Sequence, residues 1–230
     1  LFEDVSLAPS IAPPSTTLLR RRDHQTYIET GRHLVLIRRS MFGTMDEKPK
    51  QRPRVVISMG GSDPARLTRI ACEACTRGMT EHADVKVVLG VLNRDNDFLM
   101  REYGAALELV YQDDIDFDRL LRSATVAVIA GGLTRYECIA ARTPFVAISP
   151  TAVHAEHSER TARAGFGVHI GIVGTFTSDD LEMNIESLLN DTPRRAGMID
   201  AAQGLVMERA AANLCSHLDR LAPRQGTDVA

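Results

Sequence analysis

Val126-Ala127-Val128-Ile129-Ala130-Gly131-Gly132-Leu133-Thr134-Arg135-Tyr136-Glu137 is the most informative stretch of the sequence. A short apolar run ends in two glycines, and an amphipathic segment follows them. This pattern predicts a strand, a tight turn and the N-terminus of a helix. Such a turn directs backbone N–H groups and the helix dipole at whatever lies above it, which suits an anion, most often a phosphate.

Strands and helices are predicted to alternate from residue 54 onwards. Arg54–Met59 is a β-branched apolar run, typical of a strand buried on both faces, and it ends at Gly60-Gly61-Ser62-Asp63-Pro64. Ser62 or Asp63 is expected to cap the helix that follows, with Pro64 in its first turn. Further strands are predicted at Val85–Leu89, Leu107–Tyr111, Val126–Ala130, Phe145–Ile148 and Val168–Ile172. Further helices are predicted at Asp95–Tyr103, Asp118–Ser123, Thr134–Arg142, Glu156–Ala164, Ser178–Asn190 and Ile199–Leu221.

This alternation predicts parallel strands joined by right-handed crossovers. Residues 54–221 are expected to form one doubly wound, Rossmann-like α/β domain. Residues 1–53 are expected to be an irregular extension or linker containing one short strand, His33–Ile37, and residues 222–230 a flexible tail. Ligands of such sheets bind beyond the carboxyl ends of the strands, and both glycine pairs lie there.

Composition excludes several classes of protein. The 230 residues are 44% hydrophobic and 25% charged, with a formal net charge of −3, which does not favour nucleic acid or anionic membranes. No apolar run approaches the ~20 residues that span a bilayer. Cys72 and Cys75 form a C-x-x-C pattern, but they lie in the middle of a predicted helix and no second pair exists for a metal knuckle. Reduced, buried thiols and the absence of a signal-peptide pattern predict a cytoplasmic protein.

The two glycine turns lack the spacings of a Walker loop and of a dinucleotide fingerprint. Thr134 adds a hydroxyl at the start of its helix, and the carboxylate of Glu137 is suited to the vicinal hydroxyls of a ribose. Glycines also permit close approach of the backbone to a ligand. The alternative is that Gly131 and Gly132 only allow a strand and a helix to pack closely. The arginines near residue 38 are expected to be a solvated face, with the alternative that Arg38 or Arg39 faces a diphosphate or a partner domain.

Gly131–Glu137, followed by Ala140–Pro144 and an apolar strand, resembles the nucleotide-sugar motif of GT-B proteins. It is similar to the C-terminal domain of the lipid II-forming N-acetylglucosaminyltransferase, and more closely to the UDP-sugar hydrolase of pseudaminic acid biosynthesis and its spore-coat and flagellin-modification relatives. Met59–Pro64 resembles the second signature of that family, and Gly31–Phe42 resembles the segment before it.

The resemblance implies one GT-B half that binds UDP or a UDP-sugar, with no cofactor and no metal. It implies that Gly131, Gly132 and Thr134 hold the diphosphate, that Glu137 binds ribose, and that Gln112–Ile115 lies near uracil. The implied nucleotide-sugar-binding residues are Gly60, Gly61, Ser62, Asp63, Gly131, Gly132, Leu133, Thr134, Glu137 and His157.

The sequence departs from the family at two places. An Asn-Gln or Asp-Gln pair holds the donor sugar in the family, whereas His154-Ala155-Glu156-His157 stands here and His157 matches the glutamine. These histidines are not expected to bind a metal, because no further ligand is evident. The family's glycine-rich turn with the catalytic histidine has no match in residues 1–54, which implies a missing N-terminal GT-B domain or a partner protein that supplies it.

Three functions remain open from the sequence. The first is half of a UDP-sugar hydrolase in surface-glycan or nonulosonic acid biosynthesis. The second is a glycosyltransferase with the same donor site, and the third is a noncatalytic nucleotide-sugar-binding or assembly module.

Overall fold

The computed structural model describes residues 2–9, 15–20, 24–42, 52–206 and 208–221. The predicted tail over residues 222–230 lies outside this part of the chain. Contacts divide the chain into two compact units: Leu1–Ile37 with Gly204–Ala230, and Arg38–Gln203. Both glycine pairs belong to the second unit. No helix within the described ranges is long and apolar enough to cross a membrane.

The first unit contains a small mixed sheet in the segment where the sequence shows little pattern. Its strands are β1 (Phe2–Pro9), β2 (Ser15–Arg20) and β3 (His24–Gly31). The central strand β3 pairs parallel with β1 and antiparallel with β2. The strand predicted at His33–Ile37 is wrong: Gly31, at a positive φ of 136°, ends β3, and Arg32–Leu34 form a short 3₁₀ helix.

The second unit is built on a six-stranded, fully parallel sheet, which confirms the predicted doubly wound α/β fold. Its order is β6-β5-β4-β7-β8-β9. The strands are β4 (Arg54–Ser58), β5 (Asp84–Leu89), β6 (Glu108–Tyr111), β7 (Val126–Ile129), β8 (Phe145–Ser149) and β9 (Val168–Ile172). The strand order reverses between β4 and β7, so a crevice opens at their carboxyl ends. A glycine pair follows each of these two strands.

Eight α-helices cover the described ranges. They are α1 (Leu67–Thr76), α2 (Asn96–Tyr103), α3 (Phe117–Ser123), α4 (Thr134–Ala141), α5 (Ala152–Arg163), α6 (Ser178–Asn190), α7 (Thr192–Ala201) and α8 (Ala210–Leu221).

Two helix predictions need correction. The single helix predicted at Ile199–Leu221 is wrong, because the chain is interrupted at Gly204, whose φ is +75°, and α7 and α8 lie on either side. Helix α5 begins at Ala152, four residues before the predicted Glu156, because the Thr151 hydroxyl accepts a hydrogen bond from the backbone N–H of His154 and caps the helix.

The core lies on both faces of the central strands. All residues of β7 and β8 are buried, and Phe145 meets Phe166 edge-to-face with 5.6 Å between ring centroids. Cys72, Cys75 and Cys138 are free thiols buried in helices, as predicted for the C-x-x-C pair. Burial raises the pKa of the Cys72 thiol to about 12, so this thiol is protonated and inert at neutral pH.

Candidate functional site

A cavity of about 450 Å³ lies where β4, β7 and β8 end. It brings together most of the predicted site residues: Gly60, Gly61, Ser62, Asp63, Gly132, Leu133 and Thr134. Gly131, Glu137 and His157 are not among the lining residues. Pro150, Thr151 and His154, which follow β8, complete the wall and were not predicted.

Three of the glycines are open to this cavity. A Cβ built at Gly60, Gly61 or Gly132 would meet no atom within 4 Å. Packing inside the protein therefore does not require a glycine at these positions, and their bare backbone is free to approach a ligand.

Gly131 has a different role. A Cβ at this position would overlap the Ser158 hydroxyl of α5, and it would lie 3.3 Å from Ser149 Oγ. The backbone of Gly131 also has a positive φ of 70°, which residues with a side chain adopt at a cost. The packing interpretation therefore holds for Gly131, whereas the open-backbone interpretation holds for Gly132.

The turn before α4 offers unpaired backbone donors. The N–H of Arg135 donates to the Gly132 carbonyl, and those of Tyr136 and Glu137 donate to Leu133. Across the described ranges, nothing accepts a hydrogen bond from the N–H groups of Gly132, Leu133 or Thr134. All three of these residues line the cavity, so the helix N-terminus presents a set of donors suited to an anion.

Asp63 shapes the loop after β4. Its buried carboxylate accepts hydrogen bonds from Leu67 N at 2.9 Å, Thr68 N at 2.7 Å and Thr68 Oγ1 at 2.6 Å. Asp63 thus caps α1 as predicted, but Pro64 is not in the first turn, because the left-handed Arg66 separates it from the helix. The carboxylate is committed to the helix, so Asp63 positions the loop rather than offering charge to a ligand.

Glu137 lies beside the cavity in an ion-pair network. Arg38 Nη2 lies 3.0 Å from Glu137 Oε1 and 2.7 Å from Asp118 Oδ1, and Ser40 Oγ donates to the other oxygen of Asp118. Burial raises the pKa of Glu137, and this shift is opposed by Arg38 and by a hydrogen bond from Thr134. The Arg38 side chain is 55% exposed, as expected for a solvated face. That interpretation is incomplete, because Arg38 is also ion-paired with Glu137, the carboxylate predicted to bind ribose.

The histidine that lines the cavity is His154, not the predicted His157. His157 lies on α5, half-buried, and burial together with Arg135 and Arg160 lowers its pKa. His154 Nδ1 lies 2.8 Å from the Thr151 hydroxyl. Thr151 could have indicated this from the sequence, because threonine is a common N-cap residue. With Thr151 as its cap, α5 begins before His154, and the His154 side chain lies at the cavity. Within the described part of the chain, no group of three or more His, Cys, Asp or Glu side chains could hold a metal ion.

Gln112–Ile115 does not line the cavity. Gln112–Asp114 form an exposed 3₁₀ helix after β6, and β5 separates β6 from β4. A role for this loop near a nucleobase therefore stays a prediction.

A serine, a histidine and a carboxylate also neighbour one another near the end of β8. Ser149 Oγ is 3.1 Å from His169 Nε2, and His169 Nδ1 is 4.0 Å from Glu159 Oε1. Ser149 is fully buried at the end of β8, so no substrate can reach its hydroxyl. Burial also lowers the pKa of His169. This arrangement fixes the end of β8 and does not supply a nucleophile.

A larger opening, of about 680 Å³, lies at the amino ends of β4 and β5, away from both glycine pairs. Two of its three basic residues, Arg54 and Lys86, are paired with Asp84 and Glu108. Because ligands of parallel sheets bind at the opposite edge, the smaller cavity is the candidate site.

Comparison with known proteins rests on structure. No family model matches the sequence, and no curated protein matches it. The glycotransferase of kitacinnamycin is similar over 82% of this chain and 48% of its own, with 21% identity and a TM-score of 0.57. The spinosyn rhamnosyltransferase SpnG, complexed with thymidine diphosphate, is similar over 77% of this chain and 48% of its own, with 18% identity and a TM-score of 0.57. The sheet has the fold of a GT-B half.

A third similar structure carries the name of a different kind of enzyme. It is a Listeria monocytogenes protein provisionally assigned as a UDP-N-acetylglucosamine 2-epimerase, similar over 78% of this chain and 50% of its own, with 17% identity and a TM-score of 0.59. The chain thus spans about half the length of each of these three structures. At these identities the likeness establishes the fold, and the chemistry has to be argued from the site itself.

A second cavity of the GT-B half, of about 570 Å³, adjoins the first. The two share Ser62, Asp63 and Pro64, and the second extends towards the loop Leu92–Asp95 after β5. The two loops lie close together because Gly90 has no side chain: a Cβ there would overlap the carbonyl oxygens of Gly60 and Gly61. The crevice therefore has room beyond the glycine turns.

Proposed function

We propose that this GT-B half binds a nucleoside-diphosphate sugar, with the diphosphate over the N-terminus of α4. One observation carries the proposal: the unpaired N–H groups of Gly132, Leu133 and Thr134 line the same cavity as the open backbone of Gly60 and Gly61. A diphosphate supplies acceptors for these donors, and its negative charge is favoured by the helix dipole.

The nucleoside extends towards Glu137 in this proposal. An ionised carboxylate accepts hydrogen bonds from both hydroxyls of a ribose, and Arg38 favours that ionised form at 3.0 Å. Uracil as the base, and its place near Gln112–Ile115, rest on the family resemblance.

The reaction that we propose is hydrolysis of a UDP-sugar in surface-glycan or nonulosonic acid biosynthesis. Water attacks the anomeric carbon, the bond from that carbon to the diphosphate oxygen breaks, and UDP leaves with the electron pair. A base from an N-terminal GT-B domain or a partner protein takes the proton of the water. The turn before α4 stabilises the charge that develops on the diphosphate. The buried thiols Cys72, Cys75 and Cys138 support a cytoplasmic location, where cysteines stay reduced.

A glycosyltransferase is the second candidate. Two observations favour it: two of the similar structures are named as glycosyltransferases, and the adjoining cavity of about 570 Å³ gives room for an acceptor. Product analysis separates the two reactions when the complete enzyme is given a UDP-sugar with and without an acceptor. Free sugar indicates the hydrolase, and a glycoside indicates the transferase.

Thermal unfolding with and without nucleotide tests the binding proposal. We expect millimolar UDP to raise the melting temperature, because a ligand that binds only the folded state stabilises it by mass action. Glu137→Gln is expected to reduce this shift. Glu186→Gln on α6, where the side chain pairs with His82, is the matched control and should leave the shift unchanged. A folded protein whose melting temperature does not respond to UDP, TDP or a UDP-sugar would contradict the proposal and favour an assembly module.

A further inference from the structure

We propose that His154 donates a hydrogen bond from Nε2 to the diphosphate, and that Thr151 fixes the imidazole tautomer that makes this possible. The inference deepens the proposed function and rests on it. It also adds to this chain a titratable group in contact with the leaving group.

The tautomer follows from the hydrogen bonds of Thr151. Its Oγ1 accepts from the backbone N–H of His154 at 3.4 Å and lies 2.8 Å from His154 Nδ1. In the proposed arrangement the hydroxyl donates to Nδ1, which acts as the acceptor. A neutral imidazole in this arrangement carries its hydrogen on Nε2.

The position of His154 brings this donor to the anion. His154 lines the same cavity as Gly132 and Thr134. Its carbonyl oxygen is 3.5 Å from the position of a Cβ at Gly131, so the first turn of α5 packs directly against the glycine turn. Nothing in the described ranges is hydrogen-bonded to Nε2. An unpaired donor on one wall and the unpaired N–H groups on the other are suited to one diphosphate between them.

The charges around this wall favour an anion. Besides burial, Arg135 on α4 and Arg160 on α5 lower the pKa of His157, one turn along α5 from His154, and Glu156 opposes them. Arg135 donates to the carbonyls of Gly131 and Gly132, both at 2.7 Å, so its positive charge lies behind the turn. Asp63, the carboxylate in the lining, is committed to α1.

UDP-glucose is the probe, because its diphosphate is a diester whose ionisation does not change between about pH 5 and 8. Binding is measured by calorimetry on the full chain. We expect His154→Ala to weaken binding about tenfold at pH 6, the effect of losing one charge-assisted hydrogen bond. His82→Ala, at an exposed histidine that pairs with Glu186 and does not line the cavity, is the control for loss of an imidazole and should change affinity less than about twofold.

A conservative variant separates this role from a structural one. His154→Gln, whose side-chain amide can donate in place of Nε2, should bind UDP-glucose more tightly than His154→Ala does. His82→Ala should match the wild type. Thr151→Val should reproduce part of the loss, and Thr151→Ser should restore wild-type affinity.

The outcomes are distinct. If the wild type binds UDP-glucose and folded His154→Ala binds it equally at every pH, the role of His154 is overturned and the proposed function stands. If the folded wild type binds no nucleoside diphosphate or nucleotide sugar, both are overturned. A loss in His82→Ala equal to that in His154→Ala would also contradict the assignment.

Discussion

The Ser158 hydroxyl occupies the space into which a side chain at Gly131 would project. Because Gly131 also has a positive φ, we expect Gly131→Ala to lower the free energy of unfolding by about 1–3 kcal/mol. Urea unfolding measures this change. Gly132→Ala is the control and should change stability by less than about 0.5 kcal/mol, since nothing lies near its Cβ position. Equal stabilities of the two variants would contradict the packing role.

Asp63 gives a second prediction about stability. Its replacement by alanine leaves the buried N–H groups of Leu67 and Thr68 without their acceptor. We expect Asp63→Ala to cost about 1–3 kcal/mol of unfolding free energy, within the range for lost caps and unpaired buried groups. Asp97→Ala, at an exposed position on α2, is the control for loss of an acidic side chain. An Asp63→Ala protein with the same unfolding free energy as the wild type would contradict this capping role.

The sequence predicts the main sheet well because its central strands are buried and two of them, β4 and β7, run into glycine pairs. The run Val126–Ile129 has no polar residue, so a strand is strongly indicated. The first unit is harder, since Ser15–Arg20 and His24–Gly31 mix polar and apolar residues without such boundaries. Their pairing depends on neighbours that are distant in sequence, which periodicity does not report.

The candidate site was likewise predictable only in part. The place of both glycine turns at the carboxyl edge of a parallel sheet follows from the alternation of strands and helices, which the sequence predicts. The different roles of Gly131 and Gly132 do not, because they depend on Ser158, a residue of another element. His154 was missed because the predicted start of α5 excluded it, whereas a threonine followed by a helical segment was a usable sign of the true start.

Arg38 is expected to control the protonation of Glu137. Burial raises the pKa of Glu137 and Arg38 opposes this, so Arg38→Ala should raise the pKa of the carboxyl group further. Carbon-detected NMR titration of Glu137 measures the shift. Because ribose hydroxyls donate to the ionised form, the variant should lose more UDP-glucose affinity at pH 5.5 than at pH 8. Arg101→Ala, at an exposed site on α2, is the control. An unchanged Glu137 titration would contradict the ion pair.

Acid should destabilise the second unit through two histidines. Burial lowers the pKa values of His157 and His169 below their usual 6.5. The unfolded chain then binds more protons, so their contribution to stability decreases as pH falls below 6.5 and is lost in full below the folded-state pKa values. We expect the combined replacement His157→Gln and His169→Gln to flatten this dependence in urea unfolding at pH 7.5, 6.5 and 5.5. If the unfolding free energies of the wild type and the double variant depend on pH in the same way, these two histidines are not the source of the pH dependence.

The central claim is that the open backbone at Gly132 lies against a nucleotide-sugar diphosphate. Calorimetry with UDP-glucose on wild type and Gly132→Val tests it most directly, because a side chain at this position enters the cavity without meeting another atom of the protein within 4 Å of its Cβ. We predict binding by the wild type, at least about tenfold weaker binding by the variant, and a similar melting temperature for both. Equal affinities, or a folded wild type that binds no nucleotide sugar, would contradict the claim.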